Sequence, residues 1–317
     1  MSEISRSIVG QSIFHPVTSQ AEDTYHITNY FIAASSFVLL IVIVLLIYVS
    51  IKFRAKPNDQ EPKQIKGNKL VETFMIGIPF LLVGVFFYLT AKAMKDINPS
   101  ADNQKPDVIV TGYQWWWQAS YPEKNSVTAN EIHLPVGKRI LLQLKAADVI
   151  HDWWVPEFGQ KMDMIPGNTN YLWITIKQPG VYEGACSEFC GQQHAWMRIK
   201  VIAQYPEQYH QWLDSIAQPA LKPTDTVARL GEAIFSKVSC GNCHSIRGTD
   251  AKGNSGPDLT HFASRKILLA GLLQNNKKNL YRWLEDPQKV KPGAHMPRFI
   301  FKKDTINALV QYISGLK

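Results

Sequence analysis

The sequence predicts a multidomain membrane protein: a two-helix transmembrane hairpin, then an all-β domain, then an all-α domain, along 317 residues. Three observations carry that expectation. Residues 30–51 and 70–91 are apolar over a length that crosses a bilayer, for which a helix needs about 20 residues. Between 107 and 203, short β-rich runs alternate with Pro and Gly turns. Beyond 226, apolar residues recur at helical spacing. The chain is also longer than the roughly 250 residues at which single cores stop growing, so several folded units are expected.

The first apolar run (YFIAASSFVLLIVIVLLIYVSI) carries no charge, and the second (LVETFMIGIPFLLVGVFFYLTA) carries only Glu72 at its edge. The connecting loop, 52–69, holds Lys52, Arg54, Lys56, Lys63, Lys66 and Lys69 against Asp59 and Glu61. Before the first run stands Arg6 alone as a fixed basic residue. The positive-inside rule therefore puts the loop in the cytoplasm and both termini outside. Residues 1–29 become an external N-terminal segment, without the apolar core of a cleavable signal, so the first span is its own anchor. Residues 30–91 form the hairpin, and everything from 92 onward is external. The net charge of +8 comes with no motif for reading bases, so nucleic acid is excluded as a partner.

Within 92–217, the runs 107–121, 139–150, 170–176 and 196–203 read as strands of a sandwich or barrel. PEQYHQWLDSIA (206–217) reads as a helix, followed by a Pro-containing linker at 218–225. In 226–317, VARLGEAIFSKVSC, KNLYRWLEDP and DTINALVQYISGLK have helical spacing.

Cys240-Gly241-Asn242-Cys243-His244 is C-x-x-C-H, the sequence for covalent haem c attachment. Two thiols one turn apart reach the two vinyl groups, and the adjacent imidazole meets the iron. A disulfide would not need that His, and zinc would need two further ligands. A sixth ligand is expected downstream, of Met or His type. Met296 is the one methionine after the motif; His261 and His295 are its rivals. The segment resembles a small class I cytochrome c over most of 226–317, with Gly256-Pro257-Asp258-Leu259 as a turn against the haem edge.

A second cluster lies in ACSEFCGQQHAWM (185–197): Cys186 and Cys190, then His194, then Met197. External cysteines usually pair, so a short disulfide loop is one reading. Soft thiolates and a thioether with imidazole suit copper, which is the other. His151, in Val149-Ile150-His151-Asp152-Trp153-Trp154, is a further candidate imidazole, as in a cupredoxin-like barrel that takes one His early and the rest from a late loop.

The set His151, Cys186, Glu188, Cys190, His194 and Met197 resembles the binuclear CuA site of cytochrome c oxidase subunit II. The resemblance extends to the hairpin, to Gly112-Tyr113-Gln114-Trp115-Trp116-Trp117, to His151-Asp152-Trp153-Trp154-Val155-Pro156 and to Ile165-Pro166-Gly167, covering roughly residues 25–217. With the haem segment attached, the chain resembles the fused subunit II of a caa-type bacterial oxidase.

That resemblance implies thiolates of Cys186 and Cys190 bridging two coppers, with His151 and His194 each terminating one. Met197 and the Glu188 carbonyl would be weak ligands, and the Glu188 carboxylate would reach a magnesium shared with subunit I. Met162 and Met164 stay packing residues. Trp115 matches the position that accepts electrons at the surface, although a strand alternates faces and at least one of the three tryptophans belongs to a core. Glu72 matches the entrance of a proton pathway; an acid in a first helical turn is also favoured by the helix dipole alone. Phe74-Met75 departs from the Trp common in relatives.

The implied function is electron transfer in the plasma membrane of a bacterium, from an external donor such as a small cytochrome c, through haem c and CuA, to haem in subunit I, with subunit III as a further partner. Oxygen reduction, coupled to proton translocation, would take place in the partner chain. A CuA-containing nitric oxide reductase subunit is the nearest alternative. A tethered copper chaperone would lack the close His194 and Met197, and a quinol oxidase subunit would lack the copper ligands.

Overall fold

A computed structural model describes residues 12–57, 64, 67–97 and 104–317. Arg6, Asp59, Glu61, Lys63 and Lys66, on which part of the orientation argument rests, lie outside the described residues, as do residues 58–63, 65 and 66 of the proposed 52–69 loop. The chain divides into two bodies, the hairpin body Glu22–Pro99 and a second body made of the remainder.

In the hairpin body, α1 (Ser19–Lys52) and α2 (Lys69–Ile97) are long and apolar enough to cross a membrane. Their apolar side chains face outward all round, as a helix solvated by lipid requires. Phe31 meets Phe86 edge-to-face at 5.7 Å, and Pro79 sits inside α2. The first helix starts at Ser19, earlier than the apolar run at 30, because Thr18 caps it: its Oγ1 accepts from the Ala21 amide at 3.0 Å. Such a cap depends on polar residues that hydropathy ignores.

The second body begins with the β domain. Its strands are β1 (Val108–Tyr113), β2 (Trp116–Tyr121), β3 (Ser126–Ala129), β4 (Glu131–Pro135), β5 (Arg139–Ala146), β6 (His151–Trp154), β7 (Lys161–Met164), β8 (Asn170–Thr175), β9 (Gly180–Cys186) and β10 (Arg198–Gln204). They form two five-stranded sheets, ordered β3-β2-β1-β5-β8 and β4-β10-β9-β6-β7. The parallel pairs β1–β5 and β4–β10 close this cupredoxin-like barrel among otherwise antiparallel neighbours. Alternation turns Trp117, Trp153, Leu142, Leu144, Ile132 and Val201 inward into one core. Each fully buried aliphatic side chain is worth roughly 1.5–3 kcal/mol. The run 107–121 is a hairpin rather than one strand: it turns at Gln114-Trp115, where Tyr113 stacks on Trp116 at 4.4 Å.

Helix α3 (Pro206–Ile216) lays Trp212 flat on His133 at 3.8 Å and edge-on to Tyr121 at 5.1 Å. The helical domain then follows: α4 (Thr226–Lys237), a two-stranded ribbon β11 (Ile267–Leu268) and β12 (Leu273–Gln274), α5 (Lys277–Glu285), the short α6 (Pro287–Val290) and α7 (Lys303–Ile313). Asp225 caps α4 by accepting from the Ala228 amide at 2.8 Å, and Asn276 caps α5 by accepting from Asn279 at 2.9 Å. Helices α4 and α7 cross closely at Gly231, where any Cβ would strike the Ala308 backbone, and Phe235 meets Tyr312 beside that crossing.

Candidate metal centre and haem-binding module

The copper-type cluster is assembled from two strand ends and one loop. His151 opens β6, Cys186 closes β9, and the loop to β10 carries Glu188, Cys190, His194 and Met197. Pairing of Trp153 with Cys186 across β6–β9 sets the two strands in register. The result is two half-sites. The Cys186 Sγ stands 3.9 Å from His151 Nδ1 and 3.2 Å from the Glu188 carbonyl oxygen. The Cys190 Sγ stands 3.6 Å from His194 Nδ1 and 3.7 Å from Met197 Sδ. One ligand atom from each of His151, Cys186 and Cys190 lies within 4.8 Å of the others. Both cysteines are free, so the pair is not joined as a disulfide.

Orientation is fixed by contacts beyond the donors. His151 Nε2 donates to Asp148 Oδ1 at 2.8 Å, which turns Nδ1 toward the sulfurs. Burial opposes a charge on His151, but its hydrogen bonds with Asp148 and Cys186 outweigh that and raise its pKa. Gly112 gives the imidazole room: a Cβ there would lie 2.8 Å from His151 Cδ2. Trp115 Nε1 and Gln114 Nε2 both donate to the Cys190 carbonyl, at 2.9 and 2.8 Å. Gly191, at φ +114°, lets the loop pass Trp115.

The thiols titrate as a unit. A hydrogen bond from Cys190 lowers the Cys186 pKa, against its own burial and with help from His151 and the Asp152 amide. The same bond, and burial, push Cys190 up. Two soft sulfurs sharing one proton, flanked by two imidazoles, a thioether and a carbonyl, are a donor set that fits copper. Beside it, burial pushes Asp152 up to about 7, reinforced by Asp163.

In the helical domain, Cys240 and Cys243 are free thiols on one 3₁₀ turn, and the His244 amide donates back to the Cys240 carbonyl at 3.0 Å. His244 Nδ1 donates to the Pro257 carbonyl at 2.7 Å, so Nε2 carries the free lone pair. Burial lowers its pKa, which keeps the ring neutral. Gly256 leaves the space: a Cβ there would be 2.6 Å from His244 Cε1. Met296 is partly buried against the same apolar cluster as Ile246, Leu259, Phe262 and Leu309. These residues fit a covalently held haem. His261 is engaged elsewhere, with Nε2 3.0 Å from the Gln218 carbonyl, and His295 turns to Trp115, 5.7 Å between ring centres.

The periplasmic-domain family of cytochrome c oxidase subunit II matches residues 124–204, and the cytochrome c family matches 228–317. Cytochrome c oxidase subunit 2 of Alkalihalophilus pseudofirmus is 35% identical over 95% of this chain and 90% of its own length. This chain belongs to the cytochrome c oxidase subunit II family. The subunit of Bacillus sp. strain PS3 is 34% identical over 84% of this chain and 80% of its own. The crystal structure of the periplasmic domain of the Bradyrhizobium japonicum subunit aligns at 33% identity over 37% of this chain and 95% of that one, with a TM-score of 0.35.

As a subunit II fused to a cytochrome c domain, the chain serves electron transfer in a haem–copper oxidase complex with the other oxidase subunits, anchored in a membrane with its β domain external. The two domain families imply CuA and haem c.

One expectation needs correction. Trp115, expected at the surface, is 7% exposed, because the helical domain covers it: Lys291 Nζ donates to its carbonyl and His295 packs on its ring. A fused domain seated on that face is not visible from the local motif. Trp117 is the core member of the trio, and Met164 is buried while Met162 packs at the edge of the core. Glu72 lies exposed in the first turn of α2, its amide donating to the Asn68 carbonyl. The Glu188 carboxylate is exposed. Asp148 and Lys291 are absent from the sequence reading, and Gly112 and Gln114 enter it only within a family motif, without a role. An acid three residues before His151 was a signal that could have found the first of them.

Proposed function

We propose that this chain receives electrons from an external donor at its helical domain and delivers them through its β domain to haem in subunit I, supporting oxygen reduction to water coupled to proton translocation. Both α1 and α2 span the bacterial plasma membrane, with the two external domains on the periplasmic side. When bound, haem c and binuclear copper each supply a one-electron carrier. The observation that carries the reading is the convergence of Cys186, Cys190, His151, His194, Met197 and the Glu188 carbonyl in two adjoining half-sites.

Cys186, Cys190, His151 and His194 would hold the copper, with Met197 and the Glu188 carbonyl as weaker donors. Their strand and loop anchors hold the donors in place, so little has to rearrange when charge changes. Cys240 and Cys243 would hold the haem, with His244 and Met296 on its two faces. The Glu188 carboxylate would meet a magnesium ion shared with subunit I, and Glu72 would admit protons at the cytoplasmic end of α2; that both are exposed supports the reading.

Electron paramagnetic resonance of the full-length chain, with copper and haem content measured beside it, tests the reading. Two coppers sharing one unpaired electron, and one haem per chain, are expected. A copper-free chain with Cys186 and Cys190 oxidised after reductive reconstitution would remove the copper half of the proposal.

A further inference from the structure

Two charged side chains cross between the β domain and the helical domain in opposite directions. Lys291, 3% exposed, leaves α6 and drives its ammonium onto the Trp115 carbonyl at 2.9 Å, with the Leu269 carbonyl at 3.0 Å and the Trp196 carbonyl at 3.5 Å. Glu131, also 3% exposed, leaves β4, and its Oε1 accepts from the Lys266 and Ile267 amides at 2.6 and 2.7 Å. Burying either charge is costly, and each is compensated by backbone groups, two of the three carbonyls and both amides being supplied by the opposite domain.

The residues around these two crossings bear on both centres. Trp115 donates to the Cys190 carbonyl, and Trp196 precedes Met197. One residue beyond Lys291, the Pro292 carbonyl accepts from Gln193 at 2.7 Å, next to His194. The same short loop, Lys291–Met296, ends on the methionine assigned to the haem. The Arg198 amide donates to the Ala270 carbonyl at 3.1 Å between the two crossings. The 218–225 connection is tied down as well: the Ala220 amide donates to the Arg247 carbonyl and Leu221 to the Lys317 carbonyl.

We propose that Lys291 and Glu131 are reciprocal positioning residues, Lys291 holding the haem-ligand loop on the copper-ligand loop and Glu131 holding the start of β11 on β4, making the helical domain a seated carrier rather than one that swings on its linker. The consequence for electron transfer rests on the function proposed above; the seating itself does not. Seating also closes the Trp115 face to any external donor, which must then dock on the helical domain.

The test uses the full-length chain loaded with haem and copper, comparing the parent with Lys291→Met and Glu131→Ala. Hydrogen exchange is read at the Arg198, Lys266 and Ile267 amides, and haem-to-copper transfer is followed after photoreduction of the haem. In both variants those amides are expected to exchange at least tenfold faster and internal transfer to slow at least tenfold. The spectra of each centre, and the rate at which an external protein donor reduces the haem, stay at parent values. A side chain that merely fills space would not divide the internal step from the external one in this way.

Exchange and transfer within twofold of the parent, in either variant with both centres intact, overturns the proposal. Loss of haem or copper from both variants also overturns it, in favour of a general folding role. Absence of the two centres from the parent chain would instead overturn the functional reading, and the parent's amide protection would still report on seating.

Discussion

Asp148 shows how one side chain outside the donor set governs a centre. Its carboxylate accepts from His151 Nε2, its Oδ2 from the Gln114 amide at 2.6 Å, and its Oδ1 from the Val149 amide at 2.7 Å. Burial opposes its ionisation, but these bonds outweigh burial and lower its pKa, so it stays a carboxylate. Asp148→Ala frees the imidazole to rotate and to carry its proton on the wrong nitrogen. Copper affinity is expected to fall about 10–100-fold with haem content unchanged, as titration against a chelator would show. Unaltered affinity would mean that packing against Gly112 alone orients His151. At this scale the side chains that converge in the cluster were legible in the sequence, because soft groups at short spacing have few other uses. Asp148 was not, since an acid near a His is common and only the fold brings its oxygen to Nε2.

At the scale of elements, the hairpin, the four longest β-rich runs and the main helices were legible from hydropathy and periodicity. The strands β3, β4, β6, β7 and β9 were not. The first four have only four or five residues, which give little periodicity, and they carry polar or functional side chains such as Glu131, His133 and His151. The contact of β4 with α3 has its own pH signature. His133, stacked on Trp212 and 2.7 Å from Gln204 Oε1, has its pKa lowered by burial to about 4. The unfolded chain binds a proton near pH 6.5, so between 6.5 and 4 it holds more protons than the folded one. Stability is therefore expected to be fully present above about 6.5 and to be lost as pH falls toward 4, by on the order of 3 kcal/mol. Denaturant melts of the parent and His133→Gln check this. The variant loses the slope in that window, and a parent curve flat from 6.5 to 4 would contradict it.

The whole molecule joins an apolar hairpin to a β domain and a helical domain, and the sequence showed that order through hydropathy and periodicity. What it could not show is that the helical domain sits on the β domain. That depends on Lys291, Glu131 and Arg247, ordinary surface-type residues in the sequence; Arg247 reaches the Asn125 carbonyl at 2.5 Å and the Ala217 carbonyl at 2.6 Å. Seating turns Trp115 from a surface residue into one between the domains, so the order of electron arrival becomes a property of the assembled chain. The most direct measurement mixes the oxidised full-length chain with an excess of a reduced small protein donor and follows the haem and copper absorptions separately. The haem signal is expected to change first, with copper following at a rate independent of donor concentration. Copper reduced ahead of haem, at a rate proportional to donor concentration, would contradict the account.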